Sequence, residues 1–194
     1  MPLRTAKSAK SSIPPAQQVR ELLRAADRGA LATALPAAAY QAWPYASLVL
    51  VAVAADGSPI LMLSDLSEHA KNIAADNRVS LLIDGTAGRK DPLTGPRVTL
   101  LGRAMRSKDA DLKARFLARQ PAAKLYAGFG DFHVYRVEVT RAHFVAGFGR
   151  IHWLDPADII GEGFARPAKG APAPRKKAGA PKPRRARPKG RKRG

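Results

Sequence analysis

Residues 45–82 have the sequence YASLVLVAVAADGSPILMLSDLSEHAKNIAADNRVSLL. This pattern predicts a strand, a turn, a second strand, a helix and a third strand. The first two strands are predicted over residues 45–53 and 60–63, because both runs are almost entirely apolar. Asp56 and Gly57 lie between them, where a hairpin turn needs residues that tolerate positive φ. We therefore expect a β-hairpin at the centre of the fold.

After this hairpin the apolar residues recur at helical spacing, which predicts a helix. A further strand is predicted over residues 79–83. The side chain of Asp65 or Ser67 is expected to cap the first free amides of the helix, and Glu68 lies in its favourable first turn. A helix start also presents unpaired N–H groups to an anion, although this geometry alone does not indicate a ligand. The predicted apolar face of the helix consists of Leu66, Ala70, Ile73 and Ala74.

The chain has 194 residues and a formal net charge of +19, which is concentrated at its C-terminal end. Residues 166–194 contain 13 Lys or Arg and no Asp or Glu, which leaves a net charge of +6 for the rest. We therefore predict a leader over residues 1–14, one domain over residues 15–160, and a basic tail over residues 165–194.

The tail combines Pro, Ala and Gly with its positive charges and has no large apolar side chain, which predicts disorder. Two interpretations of the tail remain open. It captures nucleic acid or another polyanion by releasing counterions, or it is a solubilising extension with no dedicated partner. It has no aromatic side chain on which bases would stack.

Several classes of protein are excluded by composition. Because the chain has no cysteine, it cannot form disulfides, iron–sulfur clusters or a thiolate nucleophile. Its apolar runs are far shorter than the roughly 20 residues of a membrane-spanning helix, and its N-terminus lacks the apolar core of a secretory signal. We therefore expect a cytoplasmic protein. No phosphate-binding loop, dinucleotide fingerprint, nucleophile elbow or metal-binding His pair is present.

The remaining segments predict further short elements around the central hairpin. These short strands, with helices inserted between them, indicate a mainly β fold, namely a closed or nearly closed antiparallel barrel. Gly29 is expected to end the first helix, and Gly102 to mark a bulge or a close backbone approach. Beyond the central stretch, helices are predicted over residues 16–28, 109–119 and from 121, and strands over residues 30–35, 97–105, 132–140 and 142–148.

Four sequence runs together resemble the FMN-binding split-barrel superfamily of pyridoxamine 5′-phosphate oxidases, most closely its haem-utilisation branch. The resemblance covers residues 16–154. It implies a six-stranded antiparallel split β-barrel that forms a homodimer, with FMN, or alternatively haem, bound at the subunit interface. The runs that carry it are WPYASLVLVAV at residues 43–53, LSDLSEHAKNIAADNRVSLL at 63–82, DPLTGPRVTLLGRA at 91–104, and AGFGDF with HFVAGFGRIHWL near the end.

The resemblance also implies cofactor-binding residues. Ser67, His69 and Lys71 match positions that hold the flavin phosphate in the oxidases, and Arg97 matches a flavin-contacting Gln. Two further candidates are hydroxyls. Ser47 lies in the strand where the oxidases carry an Arg and a Lys for the phosphate, and Ser64 lies just before the phosphate segment. The chain departs from the family at Glu68, where the oxidases have an Arg. Without a cofactor, Ser47 would pair across the sheet, Ser64 would cap the helix, and the other polar side chains would be solvated.

In the haem-utilisation branch, a His near the C-terminal end of the domain ligates the iron. His143 and His152 are the candidates here, and His152 is assigned this role because it comes later. Asp131 is a candidate to orient its imidazole by accepting a hydrogen bond from the ring N–H. The alternative is that His152 simply packs against the rim of the barrel.

Two functions from different classes follow from the sequence. The first is an FMN- or haem-binding homodimer, which acts as a flavin-dependent oxidoreductase or as a haem-utilisation or haem-degrading protein, with its catalytic residues and substrate undetermined. The second is a non-catalytic barrel that its basic tail tethers to nucleic acid.

Overall fold

A computed structural model describes residues 13–161 and Phe164. Residues 1–12 of the predicted leader and the predicted basic tail lie outside the described residues. Within the described part, the predicted mainly β, antiparallel fold with inserted helices is confirmed. None of the helices described is long and apolar enough to cross a bilayer.

The strands form one antiparallel sheet in the order β2-β1-β5-β6-β7-β4-β3, and β8 pairs with β7. Strands β2 and β3 lie at opposite ends of this order, yet only Val51 separates them in the chain. The two ends of the sheet must therefore lie close together, so the sheet curls into a barrel. The strands are β1 (Arg28–Ala34), β2 (Pro44–Leu50), β3 (Ala52–Val53), β4 (Pro59–Ser64), β5 (Arg78–Asp84), β6 (Arg97–Ser107), β7 (Phe132–Val145) and β8 (Ile151–Leu154).

The predicted count of six strands is wrong, because the part of the chain that the structure describes has eight. The apolar run over residues 45–53 divides at Val51, whose N–H donates to the carbonyl of Asp27. Its two halves therefore pair with different strands, β2 with β1 and β3 with β4. The segment IHWL forms β8, which the sequence did not predict.

The two strands predicted over residues 132–140 and 142–148 are one continuous strand, β7. The register between β6 and β7 shifts by one residue opposite Leu101 and Gly102, which forms a bulge rather than a chain reversal. A Cβ on Gly102 would lie 2.4 Å from the carbonyl oxygen of Glu138. The expectation that Gly102 marks a bulge or a close backbone approach is confirmed.

The part of the chain that the structure describes contains five helices: one before the first strand, three between strands and one after the last strand. The first ends before Gly29, so the prediction that Gly29 caps it is wrong. Gly29 lies instead in β1, opposite Val49, and the chain must become extended at Arg28 to form this pairing. The helices are α1 (Pro15–Ala25), α2 (Ala37–Tyr40), α3 (Glu68–Ala75), α4 (Ala110–Arg119) and α5 (Pro156–Ile159), with 3₁₀ turns at Pro92–Thr94 and Pro121–Leu125.

The buried side chains form two clusters, one inside the barrel and one between α4 and the outer face of the sheet. Helices α1 and α3 contribute to the barrel interior from opposite ends, through residues such as Leu23 and Ile73. Helix α4 packs through Leu112 and Phe116 against the outer face of β3, β4 and the start of β7. No described helix covers the outer face of β1, β2, β5 and β6 in this way.

Candidate functional site

The uncovered outer face is predominantly apolar. The strand registers align six side chains in one row across six strands. At about 4.8 Å between neighbouring strands, the row is about 24 Å long. Its large apolar members are exposed to solvent, with exposed fractions of 73% for Leu48, 36% for Leu82 and 54% for Trp153. The row consists of Leu48, Ala30, Leu82, Thr99, His143 and Trp153.

Two neighbouring side chains widen this row. Leu101 and Ile151 are 36% and 59% exposed and lie on the same face of β6 and β8. We call these two residues and the six of the row the outer-face patch. A contiguous exposed apolar surface of this kind marks a binding or association site in a soluble protein.

Two arginines flank His143 along the patch. Arg141 lies two residues before it on β7, and its guanidinium carbon is 5.1 Å from the centre of the Trp153 ring. Arg97 pairs with Val145, two residues after His143, and donates to the carbonyls of Leu93 and Gly95 at 3.2 and 3.3 Å. Neither arginine forms an ion pair with any residue that the structure describes. Neither positive charge is therefore paired with a carboxylate in the described part of the chain, although Asp84 lies opposite Arg97 on β5.

A cavity of about 680 Å³ adjoins the patch where α1, β1 and β5 meet. Leu48 and Leu82 belong to both the cavity and the patch, and Leu22 supplies a further apolar wall. Gly85 is favoured here, because a Cβ would lie 2.8 Å from the backbone carbonyl oxygen of Pro96 and would also displace the side chain of Leu22. The sequence did not reveal this cavity, because its walls come from three separate segments, at residues 22–30, at Leu48 and at residues 82–87.

Four of the predicted cofactor residues lie close together at the start of α3. Ser67 is the N-cap residue, but its hydroxyl donates to the carbonyl of Ser64 at 2.6 Å instead of capping the helix. The hydroxyl of Ser64 donates to the carboxylate of Asp131 and accepts from the N–H of Leu66. The prediction that the side chain of Asp65 or Ser67 caps α3 is therefore wrong, since neither side chain accepts from an amide of the helix.

The electrostatics at the start of α3 do not suit a dianionic phosphate. Three carboxylates, those of Asp65, Glu68 and Asp131, lie in or next to this segment. The ammonium of Lys71 lies 3.8 Å from Glu68. Burial lowers the pKa of the His69 imidazole, which keeps this side chain neutral near pH 7. The hydroxyls and the ammonium already have protein partners, so the residues present do not fit the phosphate of FMN.

A carboxylate–imidazole pair lies beside the same segment. Nε2 of His133 is 2.8 Å from Oδ2 of Asp65, and Arg106 lies 3.9 Å from the other carboxylate oxygen. Burial, together with the charge of Asp65, raises the pKa of the Tyr135 phenol. The alternating pattern of β7 places His133 and Tyr135 on one face of the strand, but the pair with Asp65 depends on the register of β4 and β7, which the sequence does not show.

The other predicted cofactor residues lie elsewhere. Ser47 faces the interior of the barrel from β2, with its hydroxyl 3.5 Å from the carbonyl oxygen of Leu31. Arg97 begins β6, about 20 Å along that strand from Arg103, which contacts Asn77 just after α3. It therefore belongs to the patch and not to the start of α3.

His152, the predicted iron ligand, faces inward from β8. Its ring stacks on Phe144 with the ring centres 6.4 Å apart, and it lines a cavity of about 330 Å³ with Gln18 and Arg150. Asp131 bonds to Ser64 near the other end of β7, so it does not orient the ring of His152.

A family model described as CREG, beta-barrel, matches residues 14–159. The non-canonical heme oxygenase HOZ, chloroplastic, of Arabidopsis thaliana is 35% identical over 136 residues, which are 69% of this chain and 40% of HOZ. The chain therefore spans about two fifths of the length of this curated relative.

Solved structures show the same architecture. A heme binding protein from Mycobacterium smegmatis is 32% identical, with a TM-score of 0.70 over 77% of this chain and 61% of the other. ChuZ from Campylobacter jejuni is 18% identical, with a TM-score of 0.63 over 74% and 60% of the two chains, and shares the fold.

Proposed function

The chain belongs to the CREG β-barrel family, within the FMN-binding split-barrel superfamily, and from this premise we propose that it binds haem on the outer-face patch between two copies of itself. Two relatives above 30% identity support haem as the ligand, since one is named a haem oxygenase and the other a haem-binding protein. The observation that carries the proposal is the exposed apolar patch with two arginines that lack carboxylate partners among the described residues.

The chemistry of the patch matches that of haem. The macrocycle is flat and apolar, so it is stabilised by contact with side chains such as Leu82, Leu101 and Trp153. Its two propionates are anionic, and Arg97 and Arg141 offer planar guanidinium groups that bind carboxylates well. The cavity beside Leu48 and Leu82 adds apolar wall to the same surface.

A second copy of the chain completes the proposed site. A macrocycle that lies on an open sheet face keeps its other face in water, whereas a second patch related by a two-fold axis would cover it. Interfaces of this kind are self-complementary, so one apolar patch serves both subunits. The exposure of Leu48 and Trp153 in the single chain is consistent with such an interface, where apolar and aromatic side chains concentrate.

Haem fits this chain better than FMN does, because the start of α3 is not suited to a phosphate. Haem supplies, when bound, an iron centre for electron transfer and oxygen chemistry. The contribution of this chain is to hold the macrocycle on the patch, to pair its carboxylates with Arg97 and Arg141, and to exclude water from between the subunits.

A titration with ferric haem tests the proposal. The full chain is expected to bind haem with saturable stoichiometry and to shift its Soret absorption band. Leu82→Glu places a charge in the centre of the patch and should weaken binding by about tenfold or more, since a carboxylate in an apolar site is costly. Leu125→Glu is the matched control, because Leu125 is 83% exposed and lies outside the patch. Equal binding by the two variants, or no saturable binding by the unchanged chain, would overturn the proposal.

A further inference from the structure

The pairing of β7 with β8 places two histidines on opposite faces of the sheet. His143 pairs with Trp153, and both side chains lie on the outer face. Phe144 pairs with His152, and because Phe144 is fully buried, His152 faces the interior. Successive residues of a strand point to opposite faces, so this register determines which imidazole reaches the patch.

The four histidines of the chain differ in what they contact. His133 is paired with Asp65 and His69 lies on α3, so both lie away from the patch. His152 stacks on Phe144 on the opposite face of the sheet, where it is partly buried. His143 alone among them combines a place on the patch with an imidazole that forms no hydrogen bond to any residue that the structure describes. A free ring nitrogen is what an imidazole needs to ligate iron.

We infer that His143, and not His152, is the residue that ligates the iron of the bound haem. The inference rests on the proposed function and deepens it by naming the ligand. The ring of His143 is held at its side by Trp153, with the ring centres 4.7 Å apart and the planes tilted by 44°. This contact with Trp153 restricts the orientation of the imidazole on the patch.

The side chains around His143 suit a macrocycle that is centred on it. Thr99, its neighbour on β6, is small and leaves room above the sheet. Leu82 lies two strands away, at about 10 Å, which places it beneath the outer part of the ring system. Arg97 and Arg141 lie on either side of His143, about 7 Å away along the strand direction, where the propionates at the ring edge come within their reach.

The test compares His143→Gln with His152→Gln in the full chain reconstituted with ferric haem. Absorption and electron paramagnetic resonance spectra report the axial ligand independently of any catalytic activity. We expect the unchanged chain and His152→Gln to give the same histidine-ligated spectrum. His143→Gln should lose this spectrum and bind haem about tenfold or more weakly, a loss typical even of outer-sphere metal contacts. Added imidazole should restore the spectrum of His143→Gln by occupying the vacated position.

A histidine-ligated spectrum that persists in His143→Gln and disappears in His152→Gln would overturn the inference and leave haem binding intact. A spectrum that neither substitution changes would also overturn it. Failure of the unchanged chain to bind haem would instead overturn the proposed function itself. Circular dichroism of both variants confirms the fold, which His143→Gln should retain because the side chain lies at the surface.

Discussion

The side-chain amide of Asn72 donates to the hydroxyl of Thr33 at 3.0 Å inside the barrel, and this bond joins α3 to β1. Asn72 is fully buried and Thr33 is 4% exposed. The amide oxygen of Asn72 has no hydrogen-bond partner within the described part of the chain. The pair is therefore a half-satisfied polar contact in an apolar interior, where polar groups are stable only when they are bonded.

This contact predicts a non-additive pair of substitutions. Thr33→Val alone should lower the free energy of unfolding by about 1–3 kcal/mol, because it leaves the buried amide of Asn72 without its acceptor. Adding Asn72→Leu should recover part of this loss, since no buried polar group then remains at this place. Urea unfolding of the two single variants and the double variant gives the coupling energy. Additive effects would show that the bond between the two side chains contributes nothing.

The turn between β3 and β4 depends on Gly57. Its φ is +92°, and a Cβ would lie 2.3 Å from the ring of Phe164. Gly57→Ala should therefore lower the free energy of unfolding by about 1–3 kcal/mol through backbone strain, and should also displace Phe164. Gly128→Ala is the control, because a Cβ there meets no atom within 4 Å. Thermal unfolding should separate the two variants, and a similar loss in both would contradict the argument.

Local chemistry explains which parts of the fold the sequence could predict. The turn at Asp56 and Gly57, the helix that begins after Asp109 and the bulge at Gly102 were all correct. The turn and the helix depend on residues that are neighbours in the chain, and the bulge was indicated by a glycine inside a strand, although it forms against β7. The division at Val51 was missed because it depends on a bond to Asp27, 24 residues away. The place where an apolar run divides depends on the strands that it pairs with. The composition of the run does not identify those strands.

The candidate site was harder to predict, because a register error of one residue moves every side chain of a strand to the other face. The sequence identified His143 and His152 as candidates but could not determine which of them faces outward. The resemblance assigned Arg97 to a flavin contact, and the structure places it at the start of β6 beside His143. The residues of the α3 segment did come together, because Ser64, Ser67, His69 and Lys71 are close in the chain.

Association of two copies through the outer-face patch predicts the effect of Leu48→Glu. A charge at the 73% exposed position of Leu48 should not disturb the barrel, so its circular dichroism should be unchanged. It should shift the chain from dimer to monomer, because a carboxylate would be buried in the interface without a partner. Sedimentation velocity over a range of concentrations measures this shift. Leu125→Glu should remain dimeric, and equal masses for the two variants would exclude this interface.

The partial burial of His69 predicts a stability change in mildly acidic solution. Burial lowers the pKa of His69 in the folded protein below its ordinary value of 6.5. Below pH 6.5 the unfolded chain therefore binds a proton that the folded chain does not, so stability falls as the pH falls from 6.5 to the folded-state pKa. His69→Gln should reduce this loss. Urea unfolding of both proteins at pH 7.5 and 5.5 measures it, and identical pH dependence would refute the assignment.

The basic tail predicts a salt-dependent interaction that is separate from haem binding. Residues 166–194 carry 13 Lys or Arg and no Asp or Glu, so association with duplex DNA would release counterions and weaken steeply as salt rises. Deleting these residues should abolish the DNA affinity and leave haem affinity unchanged, because the outer-face patch lies entirely within residues 30–153. Fluorescence anisotropy at several salt concentrations measures the first effect and a haem titration the second. DNA affinity that survives the deletion would assign the interaction to the barrel, and the tail would then be a solubilising extension.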